Sequence, residues 1–250
     1  MRAQWATAAA RLLAAAALAL SGARAAPSDF FGPSQGWQIQ PEMDFFQRLG
    51  SRFRLIQRLM PTFIPSQSYG EMGLGAYVGW FVSPFVSAMI NPDMAKHQHL
   101  DVRLGVEWYP SLQAGTVGDS NLLLLDVEAT PRLIVPGEIL VTVRNRAEAR
   151  WQLASPASFG WRLRSRPQLE REFVLSASTG LSLTPFANAE FIWSTSQNMW
   201  DQFRMQAGVQ LGAKWFGEGQ IIELSGSVFT YLQPSRSYAP VFGAVWYQFF

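Results

Sequence analysis

Side-chain polarity alternates with period two almost from Gly36 to the C-terminus, and no useful length of chain carries the 3.6-residue period of an amphipathic helix. The clearest run is QFRMQAGVQLGAKWF. Phe203, Met205, Ala207, Val209, Leu211, Ala213 and Trp215 share one face; Gln202, Arg204, Gln206, Gly208, Gln210, Gly212 and Lys214 share the other. That run is more than twice the usual strand of about 5–6 residues. The same reading gives strands near 36–48, 51–62, 69–82, 98–110, 121–135, 138–153, 159–175, 181–195, 200–216, 219–233 and 240–250. Turn residues separate them at Leu49-Gly50-Ser51, Pro136-Gly137, Ser155-Pro156, Gly217-Glu218-Gly219 and Pro234-Ser235. The stretch 83–97 (SPFVSAMINPDMAKH) is the least regular and holds either a short further strand or a loop with a helical turn. No linker, second domain or fixed-period repeat interrupts the succession.

The first residues do not belong to this pattern. Arg2 and Arg11, the short apolar core Leu12 to Leu20 and the small-x-small site Ala23-Arg24-Ala25 read as a signal peptide over residues 1–25. The apolar core is too short for a helix that spans a bilayer, which needs about 20 residues. The expected mature chain, residues 26–250, forms one domain. The leader holds three arginines and no acid, so the net charge of +2 falls to about −1 without it. With no basic tail and only Lys96 and Lys214 as lysines, nucleic acid is not an expected partner. The chain has no cysteine, so burial and hydrogen bonding alone must hold an exported fold.

Long strands, consecutive hairpins and a leader predict an all-β transmembrane barrel, because strands can cross lipid only in a closed sheet. The alternative is a soluble sandwich or lipocalin-like barrel with its apolar face inward. Two features favour the membrane. The apolar face is rich in small residues (Ala147, Ala149, Ala187, Ala189, Ala207, Ala213), whereas a packed core fills its volume with larger ones. Trp108, Trp151, Trp161, Trp193 and Trp200 all lie at strand ends, where an aromatic girdle meets the membrane surface. The chain also ends on Tyr247, Phe249 and Phe250, which resembles the terminal strand that the bacterial barrel assembly machinery reads. Placing Phe250 in the periplasm puts the long loop SLQAGTVGDSN outside and Pro136-Gly137 inside, and all five tryptophans then fall on the outer rim. Closure in antiparallel, up-and-down fashion asks for an even count. The expectation is therefore 12 strands, with one near 83–95, or 10 if two weak ones merge.

The faces can then be assigned. In VRNRAEARW, Val143, Ala147, Ala149 and Trp151 face lipid, while Arg144, Arg146, Glu148 and Arg150 face the lumen. The next strand adds Arg162, Arg164, Arg166, Glu170 and Glu172 to the same interior. Glu190, Arg204 and Lys214 share that parity, as do Asp101, Arg103, Glu107, Asp126, Glu128, Arg132 and Glu223.

Three segments in order, VRNRAEARW, GWRLRSRPQLE and LTPFANAEFIW, resemble an uncharacterised bacterial family catalogued only as a domain of unknown function. Its pattern is Arg-x-Arg-x-Glu-x-Arg, then Arg-x-Arg-x-Arg, then Pro-Phe/Tyr-Ala-x-x-Glu-Phe, matched last by Pro185, Phe186, Ala187, Glu190 and Phe191. The similarity covers most of the mature chain and is strongest from about 140 to 215. The resemblance implies an outer-membrane-type barrel of a Gram-negative cell and supplies no substrate.

An arginine-lined lumen predicts a narrow channel for small anionic solutes, since arginine rings select anions and arginine grips carboxylate and phosphate bidentately. Facing arginines and glutamates can instead pair and fill a small barrel, leaving a structural or envelope-assembly protein. A barrel lipid hydrolase is the remaining alternative. His97, His99 and Asp101 share a strand face, but no nucleophile motif surrounds Ser111, Ser120 or any other serine. No catalytic residue, metal or cofactor is expected. The expected partners are outer-membrane lipid, the assembly machinery and a small anionic solute.

Overall fold

The computed structural model describes residues 37–50, 52–64, 69–82, 100–110, 121–153, 157–195, 199–212, 220–232 and 237–250. The leader, the irregular stretch 83–97, His97, His99, Lys214, Ser111 and Ser120 lie outside the described residues. The strands are β1 (Gln38–Leu49), β2 (Phe53–Ile64), β3 (Tyr69–Val82), β4 (Leu100–Tyr109), β5 (Leu122–Val135), β6 (Ile139–Gln152), β7 (Ser158–Glu170), β8 (Phe173–Ser176), β9 (Leu181–Ser194), β10 (Met199–Gly212), β11 (Gln220–Tyr231) and β12 (Ser237–Phe249). Of the expected turns, the one at Pro136-Gly137 lies wholly among the described residues, and Gly50 of another takes φ 81°. At Pro136-Gly137-Glu138, Gly137 takes φ 87°, which costs glycine nothing, and Glu138 follows at φ 61°.

All strands except β8 close into one barrel, in which neighbours along the chain pair in antiparallel fashion. The closing pair is different. β1 and β12 run parallel, in register from Gln38↔Val241 to Phe46↔Phe249. This corrects the expectation of an even-numbered, wholly antiparallel barrel of 12 or 10 strands. The eleven segments read from the alternation are the eleven strands of the wall, β8 being an added pairing. An odd count leaves the first and last strands pointing the same way. Parallel hydrogen bonds are slanted and slightly weaker per residue, yet they still leave no open edge. The seam is held at its end by the Phe250 N–H, which donates to the Phe46 carbonyl at 2.9 Å. Gln38 and Phe250 consequently sit at opposite ends of the barrel.

Two local departures matter. β7 stops at Glu170, and after Arg171 and Glu172 the chain pairs again as β8, against Leu181–Leu183 of β9. The β1–β2 ladder lapses between Ile39↔Phe63 and Met43↔Leu59, where Pro41 meets Pro61 and neither has an N–H to donate.

The polarity of the two faces is the reverse of a soluble barrel. Inward side chains include Asp101, 0% exposed, and Glu148, 1% exposed, whereas Leu104 and Met205 on the outer face are 55% and 59% exposed. Of the outward alanines, Ala149 is covered, flanked in register by Leu125 and Trp161. Trp108, Trp151, Trp161, Trp193 and Trp200 lie at the end where β1 begins, with Trp200 opposite Trp193 and with Trp151 and Trp161 in contact through Phe159. A second set of rings, Phe45 against Trp246 and Phe53 against Trp80, marks the other end.

Candidate functional site: the barrel interior

Arginine and carboxylate side chains from β1 to β9 form a connected belt around the inner wall. It begins at Arg58, whose Nε lies 2.8 Å from Glu42 and 2.9 Å from Asp44. Arg58 also donates to the Tyr77 hydroxyl, and that hydroxyl in turn donates to Glu107. Arg146 continues the belt, reaching Glu107 at 3.2 Å, Glu128 at 3.3 Å and Glu148 at 3.5 Å. Arg164 then bridges Glu148 at 2.9 Å and Glu190 at 2.8 Å. The alternation rule produces this directly: inward residues of neighbouring strands face one another across the ladder, so Glu128 lies opposite Arg146 and Glu148 opposite Arg162.

A side branch holds Asp101, which accepts from Arg54 and from Arg103, each at 2.7 Å. In the hydrolase alternative Asp101 was the orienting acid; here its Oδ2 is shared by two guanidinium groups. Replacing one member of such a buried set leaves an uncompensated charge, which typically costs about 3–5 kcal/mol. The belt is thus a structural element first.

The interior is not charged throughout. At the seam, Phe46, Ile56 and Tyr77 form an apolar cluster joined by Tyr247 and Phe249, with Phe46 and Phe249 stacked at 4.6 Å. Arg54 lies over the rings of Phe46 and Phe81. Tyr77 reaches its place because β4 carries Gly105 beneath it: a Cβ there would stand 2.0 Å from the ring. Across the barrel, β9 to β12 present amides and hydroxyls beside the charged Glu190, Arg204 and Glu223. Asn188 donates to Gln168 and Gln206, Gln206 to Ser225, and Gln210 and Tyr247 to Glu223.

Between these walls is a cavity of about 300 Å³. Among the expected lumen residues, Arg144, Arg146, Arg164, Arg166, Glu170 and Arg204 line it. Glu148 and Glu190 are buried behind the arginines they bind. Arg150 and Arg162 lie on the same wall nearer the tryptophan end, opposite Gly160 and Glu148. Glu172 follows the end of β7 and is not on the strand wall, a correction that comes from the break after Glu170. Of the three C-terminal aromatics, Tyr247 and Phe249 turn into the seam cluster, and Phe250 is 73% exposed.

The alternation reading missed Glu42, Asp44, Arg54, Arg58, Tyr77 and Tyr109. Its signal was present but blurred, because β1 and β2 mix charge with Phe46, Ile56 and Met60 on a single inward face. The expected lumen arginines are also not equivalent, beginning with Arg144 and Arg146. Both are committed to Glu128, and Arg146 to Glu107 and Glu148 as well. Arg166 and Arg204 differ. Neither makes an ion pair with a described residue, and the Nε of each is buried without a hydrogen-bond partner. Arg204 rests instead on the ring of Phe229, 4.6 Å from its centroid.

Comparison with protein-family models, with curated proteins and with solved structures gives no match. The chemistry of this interior therefore has to be argued from its own residues.

Proposed function

We propose that the protein is an outer-membrane β-barrel whose arginine- and carboxylate-lined interior forms a narrow channel preferring small anionic solutes. The observation that carries this reading is the inverted polarity of a closed wall. Carboxylates such as Asp101 and Glu148 are fully covered inside, while Leu104, Val127, Met205 and Phe242 stand exposed outside. Water penalises that arrangement and a hydrocarbon phase rewards it, since exposed apolar bands with aromatic rims are what lipid accepts. Export by the leader 1–25 and insertion by the barrel assembly machinery, with Phe250 as an accessible terminal ring, complete the reading.

Anion preference rests on how the charge is distributed. Four carboxylates (Glu107, Asp126, Glu128 and Glu148) surround Arg146, so that part of the belt is saturated with acid. Arg166 and Arg204 are the cationic groups in the cavity wall left without a described carboxylate partner. A permeating ion meets those two guanidinium groups.

The test is single-channel recording of the refolded mature chain in a planar bilayer under a salt gradient. Discrete steps with a reversal potential on the anion side support the channel. The ion-pair belt favours a second reading, a structural barrel plugged by its own side chains, since an interior between the filled barrels of about 8 strands and the open ones of about 16 can be closed by such a belt. Absence of conductance from a demonstrably folded barrel would select that reading.

A further inference from the structure

The inner wall formed by β7, β9 and β10 holds three arginines around one glutamate. Arg204 stands directly opposite Glu190 in the β9–β10 ladder. On the other side, the β7–β9 register, bracketed by Ser165↔Phe191 and Gln168↔Asn188, puts Arg166 on the same rung. Glu190 is nevertheless hydrogen-bonded to neither. Its Oε1 takes both Nε and Nη2 of Arg164, at 3.0 Å and 2.8 Å, and its Oε2 is buried without a partner. Arg144, opposite Arg166 across the β6–β7 ladder, brings no relief, since it is a like charge and binds Glu128. Cross-strand like charges destabilise a sheet unless something between them compensates.

We infer that Arg166 and Arg204 form a binding site for a compact oxyanion, of the phosphate or short-chain dicarboxylate class, held from two sides against the cavity wall; this rests on the lumen being open to solute, as the channel reading requires. The spacing suits it. Residues on one rung two strands apart have Cα atoms about 9–10 Å apart, a span that two arginine side chains can close around one anion. Each guanidinium offers a planar fork of donors that matches two oxygens at once, which a lysine would not. Next to them, Gln168, Asn188 and Gln206 form a neutral amide rung, and the nearby Glu170 carboxylate is held by Gln168 at 2.7 Å. All six side chains line the same cavity. Its volume of about 300 Å³ has room for a compact anion.

The experiment measures binding separately from conduction. Equilibrium dialysis of the detergent-folded mature chain against radiolabelled inorganic phosphate, and in a parallel arm against labelled succinate, is run at constant chloride. Saturable binding in either arm, weakened at least about tenfold in Arg166→Gln and in Arg204→Gln, is expected. Arg204→Lys keeps the charge and loses the fork, so it should also weaken binding; it serves if either glutamine variant fails to fold. Arg171→Gln, at an exposed residue beside Glu138 that does not line the cavity, should leave binding unchanged. Which arm binds distinguishes phosphate from dicarboxylate. No saturable binding by the wild type in either arm, or equal binding by wild type and variants, overturns the site. Recording from the same preparation keeps the two ideas apart. Conductance with an anion bias but no binding leaves the channel and removes the site, whereas binding without conductance leaves the site and removes the channel.

Discussion

Arg144 and Arg166 face each other across the β6–β7 ladder, and of the two only Arg144 has a carboxylate partner among the described residues. From sequence the two were equivalent members of one charged face. In the fold Arg144 is part of the wall's internal bonding, and Arg166 is turned toward the cavity with a buried, unbonded Nε. Similar residues on one rung thus carry different expectations.

Arg146 and Arg166 should differ sharply when truncated. Arg146→Ala removes the shared partner of Glu107, Glu128 and Glu148 and is expected to cost about 3–5 kcal/mol or to prevent folding. Arg166→Ala removes no described ion pair and should change stability by less than about 1 kcal/mol. Urea unfolding of both variants in the same detergent checks this, and equal losses would contradict the assignment of partners.

Asp101 and Arg54 are separated by 47 residues and meet at 2.7 Å inside the wall. Asp101→Asn should destabilise by several kcal/mol, about 3–5, by leaving Arg54 and Arg103 without their common acceptor. A double-mutant cycle with Arg54→Met should show a coupling of about 0.5–3 kcal/mol. Strict additivity would place the two side chains apart.

Gly105 on the inward face and Gly226 on the outer face offer a test of packing around Tyr77. A Cβ at Gly105 would stand 2.0 Å from the Tyr77 ring, but one at Gly226 would have nothing within 4 Å. Gly105→Ala should therefore cost about 1–3 kcal/mol, through displacement of Tyr77 from Glu107. Gly226→Ala should be close to neutral. Tyr77→Phe combined with Gly105→Ala should lose less than the sum of the two.

The parallel seam can be trapped chemically, because the chain contains no cysteine. Ile39 and Phe242 are partners across β1 and β12. Oxidation of a variant carrying both Ile39→Cys and Phe242→Cys should give a disulfide, seen as a mobility shift on a non-reducing gel. Ile39→Cys with Trp246→Cys, four residues out of register, should not. Crosslinking only in the second pair would mean a different closure.

Val209 and Gln210 are adjacent and should respond oppositely to a charge. Gln210 faces inward and donates to Glu223, so Gln210→Arg meets a carboxylate. Val209 lies on the opposite face, and Val209→Arg should hinder assembly by about 2–4 kcal/mol if that face meets the bilayer centre. The yield of heat-modifiable barrel in isolated membranes reads the difference, and equal yields would sink the facing assignment.

The alternation of polarity determined the strand segments and which side chains share a face, because each of these depends on residues within a few positions of one another. It did so for β10, where Met205 is exposed and Gln206 bonds to Ser225, and for the arginine rows of β6 and β7. It was least clear on β1 and β2, where Phe46 and Ile56 share the inward face with Asp44 and Arg58. Only the tertiary structure decided that the wall closes through a parallel pair, since that depends on how the two ends of the chain meet around the whole circumference. Only it decided which arginines are spent on carboxylates. Among those partnerships, Arg144 with Glu128 and Arg54 with Asp101 join residues 16 and 47 positions apart. No local pattern encodes a contact that the strands' register has yet to create.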